Sequence, residues 1–261
     1  MGKKVVFLDI DGTIWDDANI IPESTVMAIH QMQENGHEVF INSGRTRSFI
    51  REKHLLDIGF DGIVSGCGTM IEYHGRELFC HRIPRDLAIH TVETVRACGM
   101  RPILEGKHYL YMDESEFDYE PYGQKLMAEM GDDLLSIAGH WGEWDISKLS
   151  CATDNADMER CMRELGDAYG FLIHSSTVCE MVPTGFDKGT GIQRVCELLG
   201  VDISDTYAFG DSVNDTEMME AAGHAIVMGN GTDDLKAMAD YVTKTLHEGG
   251  IHHGCRKMGL I

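Results

Sequence analysis

Basic residues are scarce in this chain of 261 residues. Only 22 Lys and Arg stand against 43 Asp and Glu, a formal net charge of -21. Nucleic acid is therefore disfavoured as a partner, because binding its backbone needs clustered Lys and Arg. An anionic membrane surface is disfavoured for the same reason. Proline is also rare, at 5 residues, while 43% of the chain is hydrophobic, so a sizeable core is expected rather than disorder. No apolar run reaches signal-peptide or membrane-spanning length. The 8 cysteines include no CxxC pair, and they are expected to be reduced core residues of a cytoplasmic protein. A P-loop glycine motif is missing, so ATP use is not implied.

What is present starts with the first apolar run. Val5-Val6-Phe7-Leu8 ends in Asp9-Ile10-Asp11-Gly12-Thr13. Strand alternation puts Asp9 and Asp11 on a common side, and two carboxylates there repel unless a proton or cation separates them. Mg²⁺ suits such oxygen ligands. One carboxylate can then attack a phosphoryl group while the other handles the proton.

Pro22-Glu23-Ser24 opens a helix closed by Asn35-Gly36, and Glu38 to Ile41 reads as a second strand. This βαβ unit predicts a parallel sheet. The second strand ends in Asn42-Ser43-Gly44-Arg45, with a helix expected over 46–57. In open α/β sheets ligands bind at this carboxyl edge. A third strand covers 62–65, and a small hairpin follows.

The character changes at about residue 82. Aromatic and acidic stretches alternate with short strands up to 182, which predicts a second α+β unit. The α/β pattern then returns with Asp187-Lys188-Gly189, a strand over 206–209, and Gly210-Asp211-Ser212-Val213-Asn214-Asp215. The expected organisation is a core of 1–81 and 183–261, interrupted by an inserted domain at 82–182 that covers the site. Lys188 opens a helix, where a positive charge opposes the helix dipole unless an anion is near. Trp141, Trp144, Tyr109 and Tyr119 are expected in packing more than in substrate stacking. His247, His252 and His253 are read as structural or solvent-facing.

These residues form a chemical set. Asp9, Asp211 and Asp215 can hold Mg²⁺, and Lys188, Ser43 and Asn214 can neutralise or hydrogen-bond phosphoryl oxygens. The set resembles the haloacid dehalogenase (HAD) superfamily of phosphatases, and within it the Cof-like branch with a large α/β (type IIB) cap. The motifs are DIDGT at 9–13, Ser43 in INSGR, Lys188 in VPTGFDKGTGI and GDSVND at 210–215. The resemblance implies a Rossmann-like parallel-sheet core with an inserted α+β cap. It also implies Asp9 as nucleophile and metal ligand, and Asp11 as general acid/base with its carbonyl on the metal. Ser43, Lys188 and Asn214 would hold phosphate, with Asp211 on Mg²⁺ and Asp215 supporting the metal. One departure bears on substrate preference: Gly66-Cys67 stands where this branch commonly has Asn-Gly. The expected activity is Mg²⁺-dependent hydrolysis of a small phosphorylated metabolite by a monomer or small homo-oligomer. A phosphotransferase or phosphomutase, or a non-catalytic phospho-ligand binder, is the alternative.

Overall fold

The computed structural model describes residues 2–118, 120–173 and 177–261, apart from the side chain of Tyr122. Its chain clusters into two compact units. One comprises the chain up to Gly44, Arg51–Phe79 and Asp187–Ile261. The other comprises Arg45–Ile50 and Cys80–Phe186.

In the first unit, β1 (Val5–Leu8), α1 (Glu23–Glu34), β2 (Glu38–Asn42), α2 (Lys53–Leu56) and β3 (Gly62–Ser65) follow in order. Then come β4 (Met70–Tyr73) and β5 (Arg76–Cys80). All four residues of β1 are buried, as a parallel strand covered on both faces requires. Helix α1 begins after Pro22 and buries Thr25, Ala28, Ile29 and Met32, a spacing of three and four along one face.

The second unit holds α3 (Arg85–Ala97), β6 (Arg101–Gly106), β7 (Leu110–Tyr111), α4 (Pro121–Met130), β8 (Leu134–Leu135), β9 (Ile146–Ala152), α5 (Met158–Leu165), β10 (Tyr169–Ile173) and β11 (Val178–Pro183). The chain then returns through α6 (Lys188–Leu199), β12 (Thr206–Gly210), α7 (Thr216–Ala221), β13 (His224–Val227), α8 (Asp233–Lys236), β14 (Tyr241–Val242) and α9 (Gly250–Met258).

The first unit's sheet has the order β14-β13-β12-β1-β2-β3-β4-β5. It is parallel from β14 to β3, and β4 runs antiparallel to β3. Val5 and Phe7 share a core with Phe40, Val64, Ile192, Val195 and Met218, the last three from α6 and α7. On another contact of the unit, α9 meets α1, where Cys255 Sγ lies 3.4 Å from Met32 Sδ. The sequence pattern predicts no helix over 250–258, yet α9 forms there. Two glycines open it, Gly249 and Gly250, and Gly254 lies on its inner face because a Cβ there would sit 2.6 Å from the Phe209 ring. Glycine normally argues against a helix, so close packing overrides propensity here.

The helix expected over 46–57 is not continuous. A short 3-10 turn at Arg47–Phe49 is followed by the single turn of α2. Residues 46 and 48 spend their hydroxyls elsewhere: Thr46 Oγ1 donates to Glu105 Oε2 at 3.2 Å, and Ser48 Oγ donates to the Gly106 carbonyl at 2.8 Å. Those bonds hold the Arg47–Phe49 turn against β6 and leave the helix only its last turn.

The second unit's sheet has the order β10-β11-β9-β6-β7-β8, antiparallel except for the β7–β8 pair. Leu149 and Cys151 of β9 enter a core with Val92, Val95, Trp144, Leu165 and Tyr169. Alternation turns Lys148 to the other face, where its buried ammonium lies 2.5 Å from Glu180 and 3.6 Å from Glu105. Trp141 and Tyr109 are exposed, Trp144 is buried, and Tyr119 lies outside the described residues.

Leu149→Ala removes a fully buried side chain. It should cost about 2–5 kcal/mol, measured as a shift in urea unfolding followed by Trp fluorescence. A loss under about 1 kcal/mol would contradict a close-packed core around Trp144.

Candidate active site

The site is built where several chain segments end at one edge of the first unit's sheet. The registers Leu8↔Ile41 and Leu8↔Phe209 put Asp9, just past β1, between the carboxyl ends of β2 and β12. Ser43 and Asp211 follow those two strands. Lys188 arrives differently. It is the first residue of α6, not the end of a core strand.

Lys188 binds the acids together. Its ammonium donates to Asp9 Oδ1 at 2.7 Å and to Asp215 Oδ1 at 2.6 Å, and all three residues are buried. Burial alone would lower the Lys188 pKa, but Asp215 and Asp9 overrule it and hold the group above its ordinary value. The helix end is fixed from both sides. Asp187 and Thr190 form a reciprocal capping box, and Asn42 Nδ2 donates to the Lys188 carbonyl at 2.9 Å.

Asp215 also organises its own loop. Its Oδ2 accepts from the backbone N–H of Asp211 at 2.9 Å and of Ser212 at 3.2 Å. Asp211 stays half-buried and accepts from Thr13 Oγ1 at 3.3 Å. Asn214 accepts from Ser212 Oγ at 2.5 Å through Oδ1. Ser43 is buried, with its backbone N–H on the Val64 carbonyl and its own carbonyl accepting from Cys67.

Carboxylate oxygens of Asp9, Asp211 and Asp215 all lie within 4.8 Å of one another. Burial, then repulsion from Asp215, raises Asp9 to about 8 despite Lys188. The same two causes raise Asp211 to about 7. Three crowded carboxylates and one ammonium leave excess negative charge, and an all-oxygen set of this kind fits a hard divalent cation. Asp9, Asp211 and Asp215 therefore form a candidate metal site.

The Asp11 carboxylate stands outside that trio. It is exposed and accepts from Trp15 Nε1 at 2.9 Å, while Trp15 itself is fully buried. The turn between them closes through Gly12 N–H to the Trp15 carbonyl and Trp15 N–H to the Ile10 carbonyl. Gly12 is required there. Its φ is +78°, and a Cβ would sit 2.2 Å from Asp211 Oδ2. Asn230 then ties this turn to the far end of the chain, donating to the Gly12 carbonyl at 2.8 Å and accepting from Leu246 N–H at 2.9 Å. Beside Asp211 lies an opening of about 290 Å³ lined by Gly12, Asp16, Asn230 and His247.

Sequence reasoning missed Trp15 and Asn230 as partners of the site. The four-residue spacing from Asp11 to Trp15, across a glycine turn, is a signal that could have found the first. Nothing local marks Asn230, whose partner Gly12 is distant in sequence.

This combination of a parallel α/β sheet with acidic strand ends and a helix-borne lysine defines a class. The family model of haloacid dehalogenase-like hydrolases matches residues 6–254. The Bacillus subtilis (strain 168) protein YkrA is 31% identical over the whole of both chains. The 5-amino-6-(5-phospho-D-ribitylamino)uracil phosphatase YitU of the same organism is 27% identical, over 95% of this chain and 94% of its own. The solved structure of the HAD subclass IIB sugar phosphatase BT4131 shares the fold, with a TM-score of 0.82 and 22% identity over 99% of this chain and all of that one. The chain belongs to the haloacid dehalogenase-like hydrolases.

The raised carboxyls give the metal-free protein a pH signature. In the unfolded chain Asp9 and Asp211 titrate near their ordinary 3.8, whereas in the fold they titrate at about 8 and about 7. Their contribution is complete below the unfolded value and is lost as pH rises through the folded values. Tm in chelator should therefore fall between about pH 5 and pH 8, and Mg²⁺ should raise Tm most at the alkaline end. A Tm in chelator that climbs over this range would contradict the carboxylate crowding.

Proposed function

We propose that the chain is a Mg²⁺-dependent phosphomonoester hydrolase working through an aspartyl-phosphate on Asp9. The observation that carries this reading is the buried Lys188 ammonium held on Asp9 Oδ1 and Asp215 Oδ1. Lys188 occupies one oxygen of Asp9 and leaves Oδ2 to attack phosphorus. The new bond from Oδ2 to phosphorus forms as the bond to the leaving oxygen breaks. Asp11, oriented by the Trp15 indole, gives its proton to that oxygen. Asp11 then takes a proton from water as the water oxygen attacks phosphorus, and the bond to Asp9 breaks to release phosphate. Lys188, Ser43 and Asn214 supply donors for the non-bridging oxygens. Mg²⁺, held by Asp9, Asp211 and the Asp11 carbonyl with Asp215 in support, would add positive charge against the phosphoryl oxygens.

The substrate class is a small soluble phosphorylated metabolite, a sugar phosphate or a phosphorylated cofactor. The name of YitU supports this, since its substrate carries a phosphoribityl group. Water is the acceptor in this reading, with no nucleic acid or membrane partner. The site is compatible with a cytoplasmic monomer or small homo-oligomer, and among the described residues no helix is long and apolar enough to cross a membrane.

The test is release of inorganic phosphate from a panel of phosphorylated metabolites, with Mg²⁺ and with chelator. Native protein should release phosphate only with Mg²⁺, and Asp9→Asn should release none. Isomerised sugar phosphate without net phosphate would replace the hydrolase by a mutase.

Trp15→Phe keeps an aromatic ring, a smaller one, and removes the donor to Asp11. A hydrogen bond to a charged group is worth about 1.5–3 kcal/mol, so kcat should fall about 10- to 150-fold with KM little changed. An unchanged kcat would remove Trp15 from the mechanism.

A further inference from the structure

We propose that Glu38, Asp61 and His74 form a second divalent-metal site, suited to a transition ion of the zinc type. It lies at the opposite end of the core sheet from Asp9. Glu38 is the first residue of β2 and is in register with Val5, the first residue of β1, whereas Asp9 follows the last. Asp61 immediately precedes β3, and His74 occupies the turn between β4 and β5. The sheet therefore brings together three groups from separate stretches of chain. One ligand atom from each lies within 4.8 Å of the other two.

The second observation is an orphaned oxygen. Glu38 is only 9% exposed. Its Oε1 accepts from the Tyr73 hydroxyl at 3.1 Å and pairs with the Lys3 ammonium. Its Oε2 is buried and has no hydrogen-bond partner, yet it faces His74 Nε2 at 3.8 Å. Leaving a buried carboxylate oxygen unsatisfied is costly. A cation between Oε2, the imidazole and Asp61 removes that cost.

The surrounding bonds suit ligand duty. Val39 N–H at 2.8 Å and Gln33 Nε2 at 3.1 Å both donate to Asp61 Oδ2, which fixes that carboxylate. Tyr73 fixes Glu38 in the same way. Such outer partners orient the groups that bind a metal. An imidazole nitrogen with two carboxylates favours zinc-type ions over Mg²⁺, which prefers oxygen ligands and retained water. Three protein ligands with an open fourth position fit the exposed side of His74. Two carboxylates against the single Lys3 ammonium leave net negative charge for the ion. Bound there, it would pin the β4–β5 hairpin to the starts of β2 and β3.

The test titrates Zn²⁺ into the chelator-stripped full chain in a large excess of Mg²⁺, which keeps the Asp9 site filled. Binding is read by equilibrium dialysis with metal analysis, and stability by Tm. Native protein and Asp9→Asn should each take up one Zn²⁺ and gain Tm. His74→Ala and Glu38→Gln should bind at least about 100-fold more weakly, beyond the range seen for loss of an outer partner, and gain no Tm. Both variants should keep native phosphate release with Mg²⁺, since neither touches the Asp9 site. No Zn²⁺ uptake by native protein in excess Mg²⁺, or equal uptake by His74→Ala, would overturn the proposal. Either result leaves the hydrolase reading intact, because that reading is scored on Asp9→Asn alone.

Discussion

The Lys188 ammonium sits buried between two carboxylates, and the geometry of the active edge follows from it. Without that cation the buried carboxylates of Asp9 and Asp215 would face each other uncompensated. Removing one partner of such a buried arrangement typically costs about 3–5 kcal/mol. The fold invests in keeping the lysine where it is. A capping box fixes the start of α6, and the buried amide of Asn42 holds the Lys188 carbonyl. Helix packing adds to this, because Gly189 lets the chain come so close to the Glu217 carbonyl that a Cβ would meet it at 2.2 Å. The odd placement of a lysine at a helix N-terminus is thereby resolved. Two side-chain anions, not the helix dipole, determine its position.

Charge at this edge is unbalanced by design of the chain. One ammonium meets Asp9, Asp211 and Asp215, and burial raises two of these carboxyls. A site of that kind gains from a divalent cation and from a phosphoryl group together, each offsetting the other's charge. Asp11 is kept apart from this crowd by the Trp15 indole and by the glycine turn between them. Two carboxylates separated by one residue thus reach different surroundings. One is buried against a lysine, and the other is exposed beside an indole donor. That separation suits a nucleophile and a proton carrier.

The inserted unit uses charge differently. Lys148 is buried between Glu105 and Glu180 on the sheet face that also carries Ile103 and Ala152, opposite Leu149 and Cys151, and the hydroxyl of Thr46 completes the environment of Glu105. The bonds that Thr46 and Ser48 make to β6 account for the failure of the helix expected over 46–57. Ser48 and Thr46 use their hydroxyls on β6 rather than within a helical turn. Local pattern favoured a helix, and contacts from distant residues decided otherwise.

The sequence alone determined the elements that depend on neighbours a few residues away. The apolar run of β1, the Pro22 start of α1, the acidic strand ends at Asp9 and Asp211, and the family motifs were legible because periodicity and turn chemistry are local. The candidate residues at this sheet edge could be nominated from the same signals. Only the tertiary structure decided what each nominated group touches. It gave Asp215 two tasks, holding Lys188 and closing its own loop, and it joined Asn230 to Gly12 across most of the chain. It also made a helix of a glycine-rich tail by packing Gly254 on Phe209. It brought Glu38, Asp61 and His74 to one point, though nothing in their spacing along the chain predicts a meeting. The physical reason is common to all of these. Strand register and helix packing set distances between residues far apart in sequence, and buried charges settle only once those distances exist.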